Sequence, residues 1–322
     1  ETWLPEGSDD ETIPGPKPFT VAVELRIPRT QVPPEGRLAR FRFEMQDTSR
    51  EPGLCLNMPT KDEAATAYDL WFVPGTGKKV SNEMQTLETE DLAAKASVGI
   101  TCYDYGASSR LRVTAILDDG RELVAHVEGD TGRTTLAIPK DENDNQVADG
   151  WEKLKGVFAR GLPAEWDGDD KPPDQGGDGD GISLFEDYRG FFFGRRHERL
   201  DPGYKHLFVY DRDGYVLETM KSGPRGINFP AASGCRVRLV TDRTWTGHGP
   251  FGGKKRIVNF NYKTGHKVDQ HAIEVQVVTE TTPLEPEDWY DISVGWGYPD
   301  PRESISLGTG GAAFPDASSP PP

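Results

Sequence analysis

The side chains best suited to chemistry in this chain are the carboxylates and amides between Asp141 and Asp187. This segment holds fourteen Asp/Glu residues and four Lys/Arg residues, a net charge of −10 out of −16 for the whole chain of 322 residues. Carboxylates at this density repel one another unless a cation lies between them. Because the rest of the chain is nearly balanced in charge, the segment predicts a local cation site and not a general acidic surface.

The first candidate loop runs from Asp141 to Glu152 and has oxygen-bearing side chains at positions 1, 3, 5, 9 and 12. Ca²⁺ takes about six to eight oxygen ligands, and the residue at position 7 supplies its backbone carbonyl. The candidate ligands are Asp141, Asn143, Asn145, Val147, Asp149 and Glu152. Position 6 is Gln146, where helix–loop–helix calcium sites have Gly for a sharp turn. A regular helix–loop–helix unit is therefore not expected.

The second candidate loop contains the run Asp178-Gly-Asp180-Gly, followed by a short helical pattern that starts near Ile182. The candidate ligands are Asp174, Asp178, Asp180, the carbonyl of Ile182, Glu186 and Asp187. Three further carboxylates could serve either loop, namely Asp167, Asp169 and Asp170. The alternative is a solvated acidic linker, and Mg²⁺ is disfavoured because it prefers an octahedral shell that retains several waters.

The two loops resemble the short calcium loops of thrombospondin type 3-like and EF-hand-like repeats, through PKDENDNQVADGWEKLKG and DGDGISLFEDYRGF. The longer run DGDGISLFEDYRGFFFGRRHERLDPGYKHLFVYD is similar to a segment in a family of uncharacterised bacterial secreted proteins. The resemblance covers residues 140–211. It implies a secreted, calcium-stabilised protein of a bacterial cell surface, and it does not supply an activity.

Other catalytic chemistry has weaker support in the sequence. There is no His-Glu-x-x-His pair, no Gly-x-Ser-x-Gly elbow and no P-loop. A zinc site remains an alternative, made by a carboxylate with His197, His206, His266 or His271. This alternative would make the chain a secreted metal-dependent hydrolase, with its site in the second β region near Asn259. Paired carboxylates for glycoside hydrolysis also stay open, because they need only proximity in space.

Alternating apolar residues predict a mainly β protein with two β-sandwich-like domains, the first of them immunoglobulin-like. The predicted strands of the first domain are 19–27, 38–45, 68–73, 96–105, 109–117 and 121–129. Those of the second β region are 205–211, 215–220, 235–241, 255–262, 271–279 and 290–297. Hairpins are predicted at Asp118-Asp-Gly120 and Asp211-Arg-Asp-Gly214. Short helices are predicted at 87–96, 151–161 and 182–190.

Composition shifts divide the chain into five parts. They are an exposed N-terminal arm (1–17), the immunoglobulin-like domain (18–139), the acidic calcium-binding segment (140–198), the second β-rich domain (199–307) and a flexible tail (308–322). The calcium-binding segment would join the two domains. Cys55 and Cys102 flank Trp71 as in immunoglobulin-like domains, so a disulfide between them is one alternative and two free thiols are the other. If the disulfide forms, Cys235 is the remaining cysteine.

The charge also limits the partners. A net charge of −16 argues against general nucleic-acid binding and against docking on an anionic membrane, and no apolar run is long enough for a membrane span. The chain opens at Glu1 without Met, which we interpret as a mature chain after loss of a leader, or as a shortened one. We expect a secreted, non-catalytic surface or matrix protein, such as a filament or lattice subunit or an adhesin. Its partner would be a protein, with carbohydrate as an alternative suggested by Trp245, Trp289, Tyr290 and Trp296.

Overall fold

The computed structural model describes residues 3–7, 15, 17–26, 37–51, 68–169, 171, 179–193, 196–211, 234–240, 273–278 and 304–308. These residues fall into two compact units. Within the described part, the first unit comprises residues 3–167 and 182–202, and the second comprises residues 168–181 and 203–308. The secondary structure of the described residues is mainly β, as the alternating pattern predicts.

The described part of the first unit contains two larger antiparallel sheets. Their strands are β1 Phe19–Glu24, β2 Ala39–Gln46, β3 Leu70–Phe72, β4 Lys78–Ser81, β5 Thr86–Thr89, β6 Lys95–Cys102, β7 Ser109–Leu117, β8 Glu122–Val124 and β9 Thr135–Ile138. One sheet has the order β1-β6-β3. The other has the order β4-β5-β2-β7-β8, with β9 paired to β7. A separate two-stranded ribbon pairs β10 Phe191–Phe193 with β11 Arg196–Glu198.

The two sheets enclose one hydrophobic core. Strand β2 alternates between buried and more exposed residues, so Phe41, Phe43 and Met45 all point to the same side. Phe43 meets Phe72 of the other sheet edge-on, with ring centroids 6.5 Å apart. The burial of each such aromatic side chain stabilises the fold by about 1.5–3 kcal/mol. The two sheets therefore pack face to face as a sandwich.

The predicted helix at 87–96 is wrong. Residues 86–89 form β5, which pairs with β2 and β4, and β6 begins at Lys95. Leu87 is fully buried in the sandwich core, so tertiary pairing overrides the helical propensity of the Leu/Ala/Glu-rich run. The hairpin at Asp118-Asp-Gly120 is confirmed: β7 and β8 are antiparallel, and Gly120 has φ of +82°.

Trp71 does not fill the position of the core Trp that the immunoglobulin comparison predicts. It lies between Leu70 and Phe72, which both point into the core, and the pleat therefore turns Trp71 to the other face of the sheet. There it is half-buried and packs on Tyr103, with ring centroids 4.6 Å apart. Cys102 is buried at the end of β6. Cys55 lies outside the described residues, so the disulfide stays a prediction.

Two short helices pack together in the first unit. They are α1 Asp149–Lys155, followed by a 3-10 turn at Phe158–Arg160, and α2 Leu184–Arg189. Trp151 of α1 and Tyr188 of α2 meet edge-on at 5.5 Å, in a small core of their own that also includes Val147 and Phe185. The predicted helices at 151–161 and 182–190 are confirmed, with shorter bounds.

The N-terminal arm is not wholly exposed. Pro5 and Gly7 are buried, and Trp3 packs on Phe19 with ring centroids 5.0 Å apart. The guanidinium of Arg199 also donates a hydrogen bond to the carbonyl of Pro5 at 2.6 Å. Residues 3–7 therefore lie against the first unit, because their apolar side chains find a hydrophobic surface on the same chain.

The described part of the second unit contains a four-stranded parallel sheet, whereas the sequence predicts a β-sandwich-like domain and leaves its strand topology open. The strands of this sheet are β12 His206–Asp211, β13 Arg236–Val240, β14 Ile273–Val278 and β15 Ser304–Gly308. Their order is β13-β12-β14-β15, and each neighbouring pair is parallel. Period-two patterns identify strands but do not give their direction, whereas the long connections between these strands permit parallel crossovers. The predicted strands at 215–220, 255–262 and 290–297 lie outside the described residues.

Candidate calcium site

The loop Asp141–Glu152 leads from a strand into a helix. It follows β9, and α1 begins within it at Asp149, which is position 9 of the loop. The helix ends at Gly156, whose φ of +74° permits the left-handed cap. Trp151 and Val147 are buried in the small core with α2, which fixes the last half of the loop. As expected, no regular helix–loop–helix unit is present, because a strand leads into the loop.

The backbone of the loop makes the sharp turn that calcium loops need. Gln146 at position 6 has φ of +66°, the left-handed conformation for which calcium loops usually have Gly. The Asp141 carboxylate stabilises this turn by accepting hydrogen bonds from the backbone N–H groups of Asn145 at 3.3 Å and Gln146 at 2.9 Å. The non-glycine residue at position 6 therefore does not prevent the required path.

Glu152 at position 12 closes the loop against positions 3 and 5. Its carboxylate is fully buried and accepts a hydrogen bond from the Asn145 amide at 3.0 Å. The Asn143 amide lies 3.4 and 3.5 Å from the two carboxylate oxygens. The structure thus brings together the side chains at positions 3, 5 and 12, which the sequence predicts as ligands of one cation.

Asn145 is held more firmly than Asn143. Its amide also donates to the carbonyl of Leu162 at 2.8 Å, and its side-chain oxygen accepts from the Val147 N–H at 2.9 Å. The contacts of Asn143 with Glu152 are long for hydrogen bonds, so this amide can turn its oxygen inward at little cost. Val147 is fully buried, as expected for a residue that would offer only its carbonyl.

Asp149 at position 9 has a different set of partners. Its buried carboxylate accepts a hydrogen bond from the Glu142 N–H at 2.9 Å and lies 3.3 Å from the ammonium of Lys153. The ammonium of Lys140 is 3.8 Å away. Asp149 therefore ties the start of the loop to the start of α1. The carboxylates of Asp141, Asp149 and Glu152 do not form a cluster within 4.8 Å among the described residues.

Burial shifts the acidity of the two closing carboxylates. Desolvation raises the pKa of Glu152 above its usual value, the hydrogen bonds from Asn145 and Asn143 oppose this shift, and the negative charges of Asp149 and Asp141 add to it. Desolvation also raises the pKa of Asp141, while backbone N–H groups that bond to its carboxylate oppose this shift. The loop thus holds negative charge in a partly buried place without a matching cation from its own side chains.

The second candidate loop is described only in part. Asp174 and Asp178 lie outside the described residues. Glu186 accepts hydrogen bonds from the N–H and hydroxyl of Ser183 and forms a capping box at the start of α2. Ile182 and Asp187 are buried in the first unit near the same helix start. The capping box accounts for the Ser-x-x-Glu pattern at the start of α2. The second calcium loop stays a prediction.

Asp180 lies in the second unit, near Asp169, which the sequence offers as a ligand for either loop, and near His206, which the ligand prediction did not join to it. Its carboxylate accepts a hydrogen bond from the backbone N–H of His206 at 2.6 Å. A carboxylate oxygen of the buried Asp169 lies within 4.8 Å of one of Asp180. The sequence offers Asp169 only as an additional candidate ligand. The position of His206 depends on where β12 lies, and the loop motif contains no information about that strand.

The other histidines and aromatic residues with predicted roles divide into two groups. His197 stacks on Tyr105 with ring centroids 3.4 Å apart, and its Nε2 lies 2.6 Å from the carbonyl of Arg189. This packing places His197 in the first unit, between Tyr105 and the carbonyl of Arg189. The remaining candidates lie outside the described residues: Trp245, Asn259, His266, His271, Trp289, Tyr290 and Trp296.

A second group of buried charges lies where α2 meets the sandwich. Arg189 forms two hydrogen bonds with the fully buried Asp104, at 3.0 and 2.6 Å. Asp69 is fully buried nearby and accepts a hydrogen bond from the Glu51 N–H at 3.0 Å. A Cβ atom on Gly106 would lie 2.8 Å from the ring of Phe185, so only glycine permits this close approach.

Glu51 makes stability depend on pH. Burial raises its pKa to about 7, with Asp104 adding to the shift and Arg189 opposing it. A carboxyl whose pKa is raised on folding stabilises the protein below its unfolded pKa near 4.5, and this contribution is lost as the pH rises through 7. Between pH 4.5 and 8, we expect Glu51 to lower the free energy of unfolding of the native chain by about 2–3 kcal/mol. Glu51→Gln should remove this part of the pH dependence. Urea unfolding at both pH values checks this, and an unchanged pH dependence in the variant would contradict it.

Comparisons of the chain with models of protein families, with curated proteins and with solved structures gave no match. The resemblance to bacterial secreted proteins with calcium loops therefore rests on the sequence motifs alone. Within the residues that the structure describes, none of the helices has the length and apolar character that a membrane crossing requires.

Proposed function

We propose that this chain is a calcium-stabilised, non-catalytic protein of a cell surface or extracellular matrix, and that Ca²⁺ binds the loop Asp141–Glu152. The observation that carries the proposal is the closure of the buried Glu152 carboxylate on the side chains of Asn143 and Asn145. In a calcium loop the side-chain oxygens at positions 3, 5 and 12 converge on the ion. Here the same three side chains already meet, through the amide N–H groups of Asn143 and Asn145. The left-handed backbone at Gln146 supports the same geometry.

The proposed ion would act on stability through charge. Glu152 and Asp141 bring two carboxylates into one partly buried loop, and Ca²⁺ would replace their repulsion with direct ligation. Asn143 would rotate its oxygen toward the ion, and the carbonyl of Val147 would add a backbone ligand. Because α1 begins inside the loop and packs on α2, binding would stabilise both helices together.

The cellular setting follows from this chemistry and from the sequence motifs. Extracellular Ca²⁺ at millimolar concentration fills even sites with Kd of about 10⁻⁴–10⁻³ M. Secretion is therefore the setting in which such a loop would be loaded. The sandwich of the first unit supports an immunoglobulin-like domain in its two antiparallel sheets around one core, although Trp71 departs from that pattern.

The proposed partner is another protein, either a second copy in a filament or lattice or a cell-surface protein. The sequence suggests that the N-terminal arm pairs with a neighbour. Residues 3–7 pack on their own unit, so this part of the arm does not support that role. A carbohydrate partner stays a prediction, since the aromatic residues that suggest it lie outside the described part.

Removal of Ca²⁺ tests the proposal. At free Ca²⁺ of about 100 times Kd, ligation adds about 2.7 kcal/mol, which corresponds to several degrees in Tm. We expect a chelator to lower Tm by that amount in the native chain and to increase proteolysis between residues 141 and 190. Glu152→Gln should abolish the shift, because it removes the charge of position 12.

A matched control lies in the same loop. Glu142 is exposed, occupies position 2 and carries the same charge. Glu142→Gln should keep the full response to the chelator, since this position offers no ligand. If Ca²⁺ changes the Tm of neither the native chain nor Glu152→Gln, the proposal is wrong.

A further inference from the structure

The second unit contains a buried histidine beside two buried carboxylates. His206 opens β12, and its side chain and that of Asp180 are both fully buried. The Nδ1 atom of His206 lies 3.6 Å from Oδ2 of Asp180. Asp169 is also buried, with a carboxylate oxygen within 4.8 Å of Asp180. In the chain, His206 lies 26 positions after Asp180 and 37 positions after Asp169.

The separation between His206 and Asp180 is informative. A distance of 3.6 Å is too long for a hydrogen bond, and neither ring nitrogen of His206 makes one among the described residues. Two ligands that share a tetrahedral Zn²⁺, with metal–ligand bonds of about 2.0–2.2 Å, are about 3.4 Å apart. The ring is therefore aimed at Asp180 with the spacing of a shared metal ion.

The backbone holds these groups in place. The carboxylate of Asp180 accepts the N–H of His206 at 2.6 Å, so the two residues cannot move apart independently. Gly179 donates its N–H to the carbonyl of Asp169 at 3.1 Å, which sets the two carboxylates side by side. Gly179 and Gly181 both have positive φ, near +83° and +87°, and they turn the chain around Asp180.

We propose that His206 and Asp180, with the neighbouring carboxylate of Asp169, bind a zinc-class divalent cation at a site separate from the calcium loop. Imidazole nitrogen is a ligand that Zn²⁺ takes readily and that Ca²⁺ does not prefer. The site would hold Asp169 and Asp180 at the start of β12, within the second unit. Asp180 then serves this site, whereas the sequence pattern assigns it to a calcium loop.

The proposal is tested with the full chain after metal removal, in buffer that keeps millimolar Ca²⁺. Zn²⁺ is titrated against a chromophoric zinc indicator, and the bound zinc is counted by elemental analysis. We expect one Zn²⁺ per chain, with affinity lowered at least about 100-fold in His206→Gln and Asp180→Asn. His126→Ala is the matched control, because His126 is exposed, and it should retain the bound zinc.

Co²⁺ provides a readout that does not depend on the variants folding. Bound at this site in the native chain, it should show the strong visible absorption of a tetrahedral nitrogen and oxygen environment, and Zn²⁺ should displace it. Glu152→Gln should still bind zinc, and His206→Gln should keep the chelator response of the calcium loop. Each proposal can therefore be contradicted without the other. A native chain that binds neither Zn²⁺ nor Co²⁺, or a His206→Gln variant that binds zinc as the native chain does, would overturn the proposal.

Discussion

Replacing Arg189 by methionine should lower the free energy of unfolding of the first unit by about 3–5 kcal/mol. The guanidinium forms two hydrogen bonds with the fully buried carboxylate of Asp104, and both side chains are almost completely excluded from water. Without Arg189, Asp104 keeps its burial but loses its counter-charge. Asp69 and Glu51, which are buried nearby, are also acidic groups and supply no cation in place of the guanidinium.

Denaturant unfolding measures this effect, and two further variants isolate its cause. Arg196→Met removes an exposed arginine that pairs with Glu198, and it should change stability by less than about 1 kcal/mol. The double variant Asp104→Asn with Arg189→Met should recover part of the loss, since it leaves no buried charge while Gly106 can keep its bond to the side chain at 104. An Arg189→Met chain as stable as the native one would show that the pair does not hold α2 on the sandwich.

The second large effect is expected at Tyr188, the residue that joins the two helices. Its fully buried ring meets Trp151 edge-on at 5.5 Å and lies 6.3 Å from the ring of Phe185. We expect Tyr188→Ala to cost about 3–5 kcal/mol, because it leaves a cavity in a small core. Calcium binding should also weaken, because α1 carries Glu152 and loses its packing partner.

Tyr188→Phe is the matched control for the cavity. The buried hydroxyl of Tyr188 makes no hydrogen bond among the described residues. Its removal therefore leaves no donor or acceptor without a partner, and stability should stay the same or rise slightly. Thermal unfolding and Ca²⁺ titration of the two variants measure both effects. Equal losses in Tyr188→Phe and Tyr188→Ala would show that the hydroxyl matters and not the ring packing.

The sequence predicts local features of this fold well where one residue decides them. The turn at Gly120 needs positive φ, and the alternation in 109–117 matches β7 residue for residue. The segment 87–96 shows the limit, because its helical composition is overridden by the pairing of β5 with β2. In the second unit, strand direction depends on long crossovers and not on the period of apolar residues.

The candidate site shows the same division between local and distant information. The spacing of Asp141, Asn143, Asn145 and Glu152 is a local pattern, and the structure brings the last three side chains together. Gln146 looks like a defect in the sequence, yet side-chain bonds from Asp141 support its left-handed backbone. The proximity of Asp169 to Asp180 agrees with the sequence, which offers Asp169 as a ligand for either loop. The approach of His206 to Asp180 could not be predicted, because it depends on where β12 begins in space.

Terbium luminescence on the full chain tests most directly whether the loop Asp141–Glu152 binds Ca²⁺. Tb³⁺ takes oxygen ligands much as Ca²⁺ does, and Trp151 lies next to Glu152 in the chain, close enough to transfer excitation energy to an ion in the loop. We predict Tb³⁺ emission on tryptophan excitation that excess Ca²⁺ removes, that Glu142→Gln keeps and that Glu152→Gln loses. Emission that Ca²⁺ does not displace, or that is as strong in Glu152→Gln as in the native chain, would contradict calcium binding at this loop.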